Sequence, residues 1–224
     1  MNWRNIRRVD IYLGIPLAYL AYLLTFLSRR RSLSADARVD YKNILLIKFW
    51  GLGNVAMLLP SARALKERYP GSRIDFLTLS SNAEISRLSG IFDNVYTLNT
   101  ERAHIFLLSL VSNLLALGKN KYDLVVDFEQ FARFSAIFCR LIGKRTRIGF
   151  NTAHQHRQFL YTAAIKYDNN IHITKSFYLL AELAGARGAA EILPLSLMLN
   201  PMDISRVKGI LLGLGLGMVM QVLV

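Results

Sequence analysis

Residues Ile44 to Phe49 read ILLIKF, a nearly unbroken apolar run. It leads through Gly51-Leu52-Gly53-Asn54 into a helical pattern that stops at Tyr69-Pro70-Gly71. A strand with apolar residues on both faces belongs inside a sheet covered on both sides, which is how parallel strands are buried. The unit then recurs. Ile74 to Leu79, Asn94 to Leu98, Leu124 to Phe128 and Thr146 to Phe150 read as further strands. Ala83 to Leu88, Ala103 to Leu117, Phe131 to Ile142 and Thr174 to Ala184 read as the helices between and after them. This alternation predicts an α/β fold, a Rossmann-like, doubly wound parallel sheet of at least five strands with helices on both faces.

Ahead of the sheet lies a segment of another character. Ile11 to Ser28 carries no charge, and arginines flank it on both sides at Arg4, Arg7, Arg8 and Arg29 to Arg31. As a helix it would be roughly 27 Å long, slightly short of a hydrocarbon core. The arginines that follow it argue against a cleaved export signal. Positive charge on both flanks suits an in-plane or re-entrant anchor at least as well as a spanning helix, so the expectation is membrane attachment with its topology open, with an ordinary buried helix as the alternative. Ala103 to Leu117 is apolar round most of its circumference but short for a span, and is read as a helix packed with the sheet, its contact with the membrane left open. The chain divides into an anchor (1–31), a polar linker (32–40), the sheet domain (41–199) and a closing segment (200–224). From Gly209 that segment reads GILLGLGLGMVMQVLV. It is either the truncated start of a second sheet domain or an aberrant end.

Charge narrows the partners. Lysine and arginine total 28 against 15 acids, a formal charge of +13, which favours an anionic partner. The basic residues are scattered and form no groove-reading module, so an anionic membrane surface is preferred to nucleic acid. Cys139 is the one cysteine and sits in an apolar stretch. It excludes a disulfide framework within the chain, suits a reducing cytoplasm, and reads as a small buried hydrophobe.

The residues that could carry chemistry cluster where strands end. Gly51-x-Gly53-x-x-Ala56 has the look of a dinucleotide fingerprint, but that pattern needs an acid at the end of the second strand. Here that strand ends Leu77-Thr78-Leu79-Ser80, with Asp75 at its beginning, so an NAD-dependent oxidoreductase is a distant reading. The plainer expectation is a turn made by the glycines and a helix capped by the Asn54 side chain. The same helix end is suited to a sugar or phosphate oxygen. Asp127 and Glu129 stand two apart at the end of the fourth strand. If strand geometry continues through Glu129, both point to one side at the carboxyl edge, where open α/β sheets bind ligands. They are the candidate bases, and a structural ion pair is the competing reading. Arg133 is placed to pair with Glu129 or to meet an acceptor phosphate. His154 and His156 lack a carboxylate cluster, and no metal site is expected.

The stretches 44–80, 122–150 (YDLVVDFEQFARFSAIFCRLIGKRTRIGF) and 169–186 (NNIHITKSFYLLAELAGA) together resemble glycosyltransferase family 9, the heptosyltransferase-like enzymes of lipopolysaccharide assembly. The resemblance covers about 41 to 195, the amino-terminal half of that family, and the segment from Asp10 to Leu17 is similar to a branch with an apolar anchor. It implies two Rossmann-like domains facing a cleft, the first receiving the acceptor and the second binding a nucleotide-sugar donor. It implies inverting, metal-independent transfer of a heptose-like sugar to a lipopolysaccharide or other lipid-linked envelope acceptor, with no cofactor, at the cytoplasmic face of the inner membrane. Lys48, Gly51, Gly53, Asn54, Arg133 and His172 are the substrate-binding candidates. Better-known members carry an aspartate base where this chain has Asn54, and an amide cannot take that proton. Little beyond Leu199 matches a donor domain. The expectation is therefore an incomplete enzyme, inactive by itself, with a silent membrane-attached binding or scaffold protein as the alternative.

Overall fold

The computed structural model describes residues 39–143 and 145–187, together with 16, 18–20, 22, 23 and 205. Most of the expected anchor, nearly all of the linker, and the closing segment apart from Ser205 lie outside the described residues.

Among the described residues, six parallel strands form one sheet: β1 (Asn43–Ile47), β2 (Arg73–Leu79), β3 (Asn94–Leu98), β4 (Leu124–Asp127), β5 (Thr146–Asn151) and β6 (Ala163–Lys166). Their spatial order is β3-β2-β1-β4-β5-β6. The chain builds outward from β1 on one side, then returns to β1's other side with β4. Ile44 is accordingly in register with both Ile74 and Leu124. The connections are α1 (Leu52–Arg68), α2 (Ala83–Leu88), α3 (Ala103–Lys119) and α4 (Arg133–Ile142), and α5 (Ile173–Leu183) follows β6. Two short 3-10 turns, η1 (Ser80–Asn82) and η2 (Gln158–Leu160), complete the order.

Strand periodicity splits the core in two. Ile44 and Leu46 pack with α1 and α5 on one face, through Leu58, Leu65, Phe177 and Leu180. Leu45 and Ile47 face the other side with Leu117 of α3 and Phe138 and Ile142 of α4. A strand whose successive side chains enter different cores must be apolar at every position, which is what the run in β1 provides. Ala18, in the helical stretch around residues 18–20, is buried in the second core, and Tyr19 and Tyr22 pack on Phe159 at ring-centroid distances of 4.9 and 5.5 Å. No helix among the described residues is long and apolar enough to cross a membrane.

The sixth strand is an addition to the sequence reading. Ala163–Lys166 is four residues long and alternates half-buried with exposed positions, as an edge strand does, so it carries little of the apolar signal that marks β1.

Asp75 is wholly buried on β2 and joins three strands at the amino-terminal half of the sheet. Its carboxylate accepts from Arg73, from Asn94 Nδ2 of β3 at 2.9 Å, and from the Tyr122 hydroxyl just before β4. Burial, with the neighbouring carboxylate, pushes the Tyr122 phenol far up, so it stays a donor. Removing that hydroxyl with Tyr122→Phe is expected to destabilise the fold by about 1.5–3 kcal/mol, the range for a hydrogen bond to a charged group. Urea unfolding measures this, and an unchanged midpoint would contradict the assignment.

Candidate functional site

In a doubly wound sheet the two strands where the order reverses leave a crevice at their carboxyl ends, because the connections leave in opposite directions. Here those strands are β1 and β4. The segment after β1 is Lys48-Phe49-Trp50-Gly51; the segment after β4 is Phe128-Glu129-Gln130. One buried ion pair joins them: Lys48 Nζ donates to Glu129 Oε2 at 2.9 Å and to Gln130 Oε1 at 3.3 Å. The same Glu129 oxygen accepts the backbone amides of Phe49 at 3.2 Å and Trp50 at 3.3 Å. Glu129 therefore holds the β1 turn by both side chain and backbone. Asn82 steadies that turn from the β2 side, donating to the Phe49 carbonyl at 2.7 Å. Thr152 steadies the β4 segment from the β5 side, donating to the Gln130 carbonyl at 2.7 Å.

Past the ion pair the turn opens. Gly51 has φ 89°, a left-handed value that suits glycine, and is the residue from which α1 starts. A Cβ at Gly51 would also lie 2.9 Å from Asn54 Nδ2. Asn54 is the third residue of the helix and does not cap it; the helix start has no side-chain cap hydrogen bond. This corrects the expected cap. The helix begins at Leu52, too early for Asn54 to stand outside it and reach the amides two or three residues on. Gly51, Leu52 and Gly53 are exposed, so the positive end of α1 opens to solvent at the crevice.

Asp127 and Glu129 both lie at the carboxyl edge, but they face different neighbours. Strand β4 ends at Asp127, so the condition for both to point to one side is not met. Asp127 turns toward β5 and η2 and is wholly buried. Its Oδ2 accepts from Arg157 Nη2 at 3.0 Å and from the Tyr161 hydroxyl at 2.6 Å, while its Oδ1 accepts the Glu129 amide at 3.0 Å. Arg157, also wholly buried, donates to the Glu129 carbonyl at 2.6 Å, to the Ala132 carbonyl and to the Tyr161 hydroxyl. Burial pushes the Asp127 carboxyl up from its ordinary value, outweighing the pull of Arg157 and Tyr161. Burial likewise drives the Tyr161 phenol well up, so it remains a donor to Asp127. The result is a closed clamp on the chain from Asp127 to Ala132.

The other candidates are placed more loosely. Arg133 begins α4, is buried, and donates from Nη2 to the His154 carbonyl at 3.1 Å. His154 and His156 are exposed in a turn, with φ 61° and 47°. His172 is an exposed cap on α5, its Nδ1 accepting from the Thr174 amide at 3.4 Å. Lys48, Gly51, Gly53, Asn54, Glu129 and Asp127 thus share the crevice edge, whereas His172 serves its own helix. Cys139 is wholly buried, and burial pushes its thiol far up.

Sequence reasoning missed Arg157 and Tyr161, the two residues that close the clamp. A signal was present in Gly149. A glycine inside an apolar strand marks a close approach, and a Cβ there would lie 2.3 Å from Tyr161 Cζ.

Comparison with known proteins extends these observations. No family model matches the chain. Over 115 residues it is 32% identical to lipopolysaccharide heptosyltransferase 3 of Escherichia coli, a stretch covering 48% of this chain and 32% of that protein. Among solved structures it is similar to a glycosyl transferase family 9 protein from Veillonella parvula, with TM-score 0.67 and 16% identity over 81% of this chain and 52% of that one. It is also similar to the E. coli ADP-heptose lps heptosyltransferase II, with TM-score 0.56 and 17% identity over 75% and 50%. The chain thus resembles a lipopolysaccharide heptosyltransferase in sequence and a glycosyl transferase family 9 protein in fold. The chain spans about a third of the curated relative and about half of each solved structure.

The Tyr161 ring lies where a side chain on Gly149 would be. Gly149→Ala is expected to displace it, loosen the clamp on Asp127 and cost about 1–3 kcal/mol, the usual range for overpacking. Chemical denaturation reads the cost. A variant as stable as the parent would show that the ring's position is not fixed by that contact.

Proposed function

We propose that this chain supplies the acceptor-side lobe of an inverting glycosyltransferase, which moves a heptose-like sugar from a nucleotide-sugar to a lipopolysaccharide-type acceptor. The observation that carries the reading is the crevice at the β1–β4 reversal, with the positive end of α1 open beside a rigidly held loop. Two likenesses support it: the sequence match to a lipopolysaccharide heptosyltransferase and the shared fold with a family 9 protein. The amides of Gly53 and Asn54 suit hydroxyl or phosphate oxygens of the acceptor. The nucleotide-sugar is held by a second domain facing this edge, whose positive groups stabilise the departing diphosphate. A lipid-linked acceptor puts the reaction at the cytoplasmic face of the inner membrane.

In this reading Asp127 is a positioning residue, since its oxygens are taken up by the clamp. Glu129 is the carboxylate that borders the open turn, and it is the candidate for receiving the acceptor hydroxyl's proton as the new glycosidic bond forms. A second reading is favoured by the same bonds: with Glu129 committed to Lys48 and two amides, and Asn54 unable to act as a base, the lobe binds its acceptor without catalysing transfer.

One experiment separates the two. The chain is paired with the donor-binding half of a lipopolysaccharide heptosyltransferase, and labelled sugar from ADP-heptose is followed onto a lipopolysaccharide core acceptor. Transfer is expected, and Glu129→Gln should lower kcat by about 10²–10⁴-fold. Asn54→Ala should change it little. Acceptor binding without transfer would establish the silent reading. If Asn54→Ala abolishes transfer in a folded protein while Glu129→Gln is harmless, Glu129 is not the base.

A further inference from the structure

Helices on both faces of the sheet are net basic, but the faces differ in where acids fall and in what they expose. On the face covered by α1, α2 and α5, the helices carry Glu67, Glu84 and Glu182 among the cations Arg63, Lys66, Arg68, Arg87 and Lys175. On the opposite face, neither α3 nor α4 contains an acid. The sequence has no Asp or Glu from Arg102 to Tyr122, nor from Gln130 to Tyr167. These stretches carry Arg102, Lys119, Lys121, Arg140 and Arg145, all exposed or half-buried.

Between these cations α3 presents an apolar stripe to solvent. Leu107, Leu108, Val111 and Leu115 recur at helical spacing on its outer side, and Leu108 and Leu115 are 69% and 65% exposed. Asn113 and Leu117 face inward, so the stripe is the helix's outer surface and not a misread core face. Leu20 and Leu23 are exposed in the helical stretch whose Ala18 is buried in the core on this same side of the sheet. Tyr19 and Tyr22 pack on Phe159 in that stretch, and an aromatic ring with a polar tip suits the level of lipid headgroups.

We propose that this face, the α3 stripe with Leu20 and Leu23 and the surrounding arginines and lysines, docks on an anionic lipid surface. The leucines enter the boundary between headgroups and acyl chains while the cations meet lipid phosphates, and the absence of acids on α3 and α4 removes the repulsion such a surface would otherwise meet. The opposite face interleaves its cations with an acid on each helix and exposes no comparable apolar stripe, so it suits the same surface less well. The docked face leaves the carboxyl-edge crevice open at the side of the domain, within reach of a lipid-linked acceptor. This deepens the membrane placement in the proposed function, but it is tested without sugar transfer.

The test uses the full chain and vesicles of phosphatidylcholine with and without phosphatidylglycerol. Leu108→Glu with Leu115→Glu should lower partition onto the anionic vesicles by at least about tenfold, whereas Met57→Glu on α1 should leave it unchanged. An environment-sensitive fluorophore on Val111→Cys should shift to the blue when anionic vesicles are added. The same label on Glu182→Cys of α5 should not, and wholly buried Cys139 does not compete for it. The label reads contact directly, so it holds even if the glutamate pair unfolds the protein. Binding without a shift at position 111, or equal binding to neutral and anionic vesicles, would overturn the proposal. So would loss of self-association in the glutamate pair with vesicle partition intact, which would make a second copy of the chain the occupant.

Discussion

Lys48 stands one residue past the central strand, and its ammonium can leave water only because Glu129 waits across the strand-order reversal. Burying either charge alone would cost several kcal/mol. The loop after β1 and the loop after β4 therefore have to come together, or both charges must return to solvent. Glu129 then ties down the β1 turn by its amides as well, and the position of Gly51 follows. From that glycine α1 departs with its positive end at the crevice. Asp127, Arg157 and Tyr161 brace the other side, holding the chain that carries Glu129 from behind. The crevice is thus a product of two buried electrostatic clusters and not of loop length or composition.

The same fold sorts the molecule's charge. Because the chain winds first to one side of β1 and then to the other, α1 and α2 fall on one face and α3 and α4 on the other. Sequence stretches poor in acids thereby become one surface. A net charge of +13 is a diffuse attraction when spread over a sphere. Where cations stand without intervening acids beside an apolar stripe, as around α3, the attraction gains a direction.

The fold was legible because its signals are local and repeated. ILLIKF, LVVDF and RIGF carry too much apolar content for anything but covered strands, and glycine and proline punctuate the helices between them. Strand β6 was not legible, since four edge residues alternating between half-buried and exposed carry too little apolar signal. The site was legible only as positions. Gly51, Gly53, Asp127 and Glu129 were found at the carboxyl edge, but their partners were not, because an ion pair joining residues 81 apart leaves no spacing to read. Whether Asp127 and Glu129 shared a side depended on where β4 stopped, a boundary that propensity locates only to within a few residues. Asn54 was misassigned as a cap for the same reason. Gly149 marked the site of a close approach, and only the structure shows that the approaching group is Tyr161.

The crevice depends on Lys48 and Glu129 acting as one unit. A double-mutant cycle with Lys48→Met and Glu129→Gln, read by equilibrium unfolding, isolates their coupling from the separate cost of each change. Each single variant should be strongly destabilised, by about 3–5 kcal/mol for an orphaned buried charge. The double variant should recover part of that loss, with a coupling above about 1 kcal/mol. Strictly additive losses would mean that the two side chains do not hold each other, and that the crevice is shaped by something else.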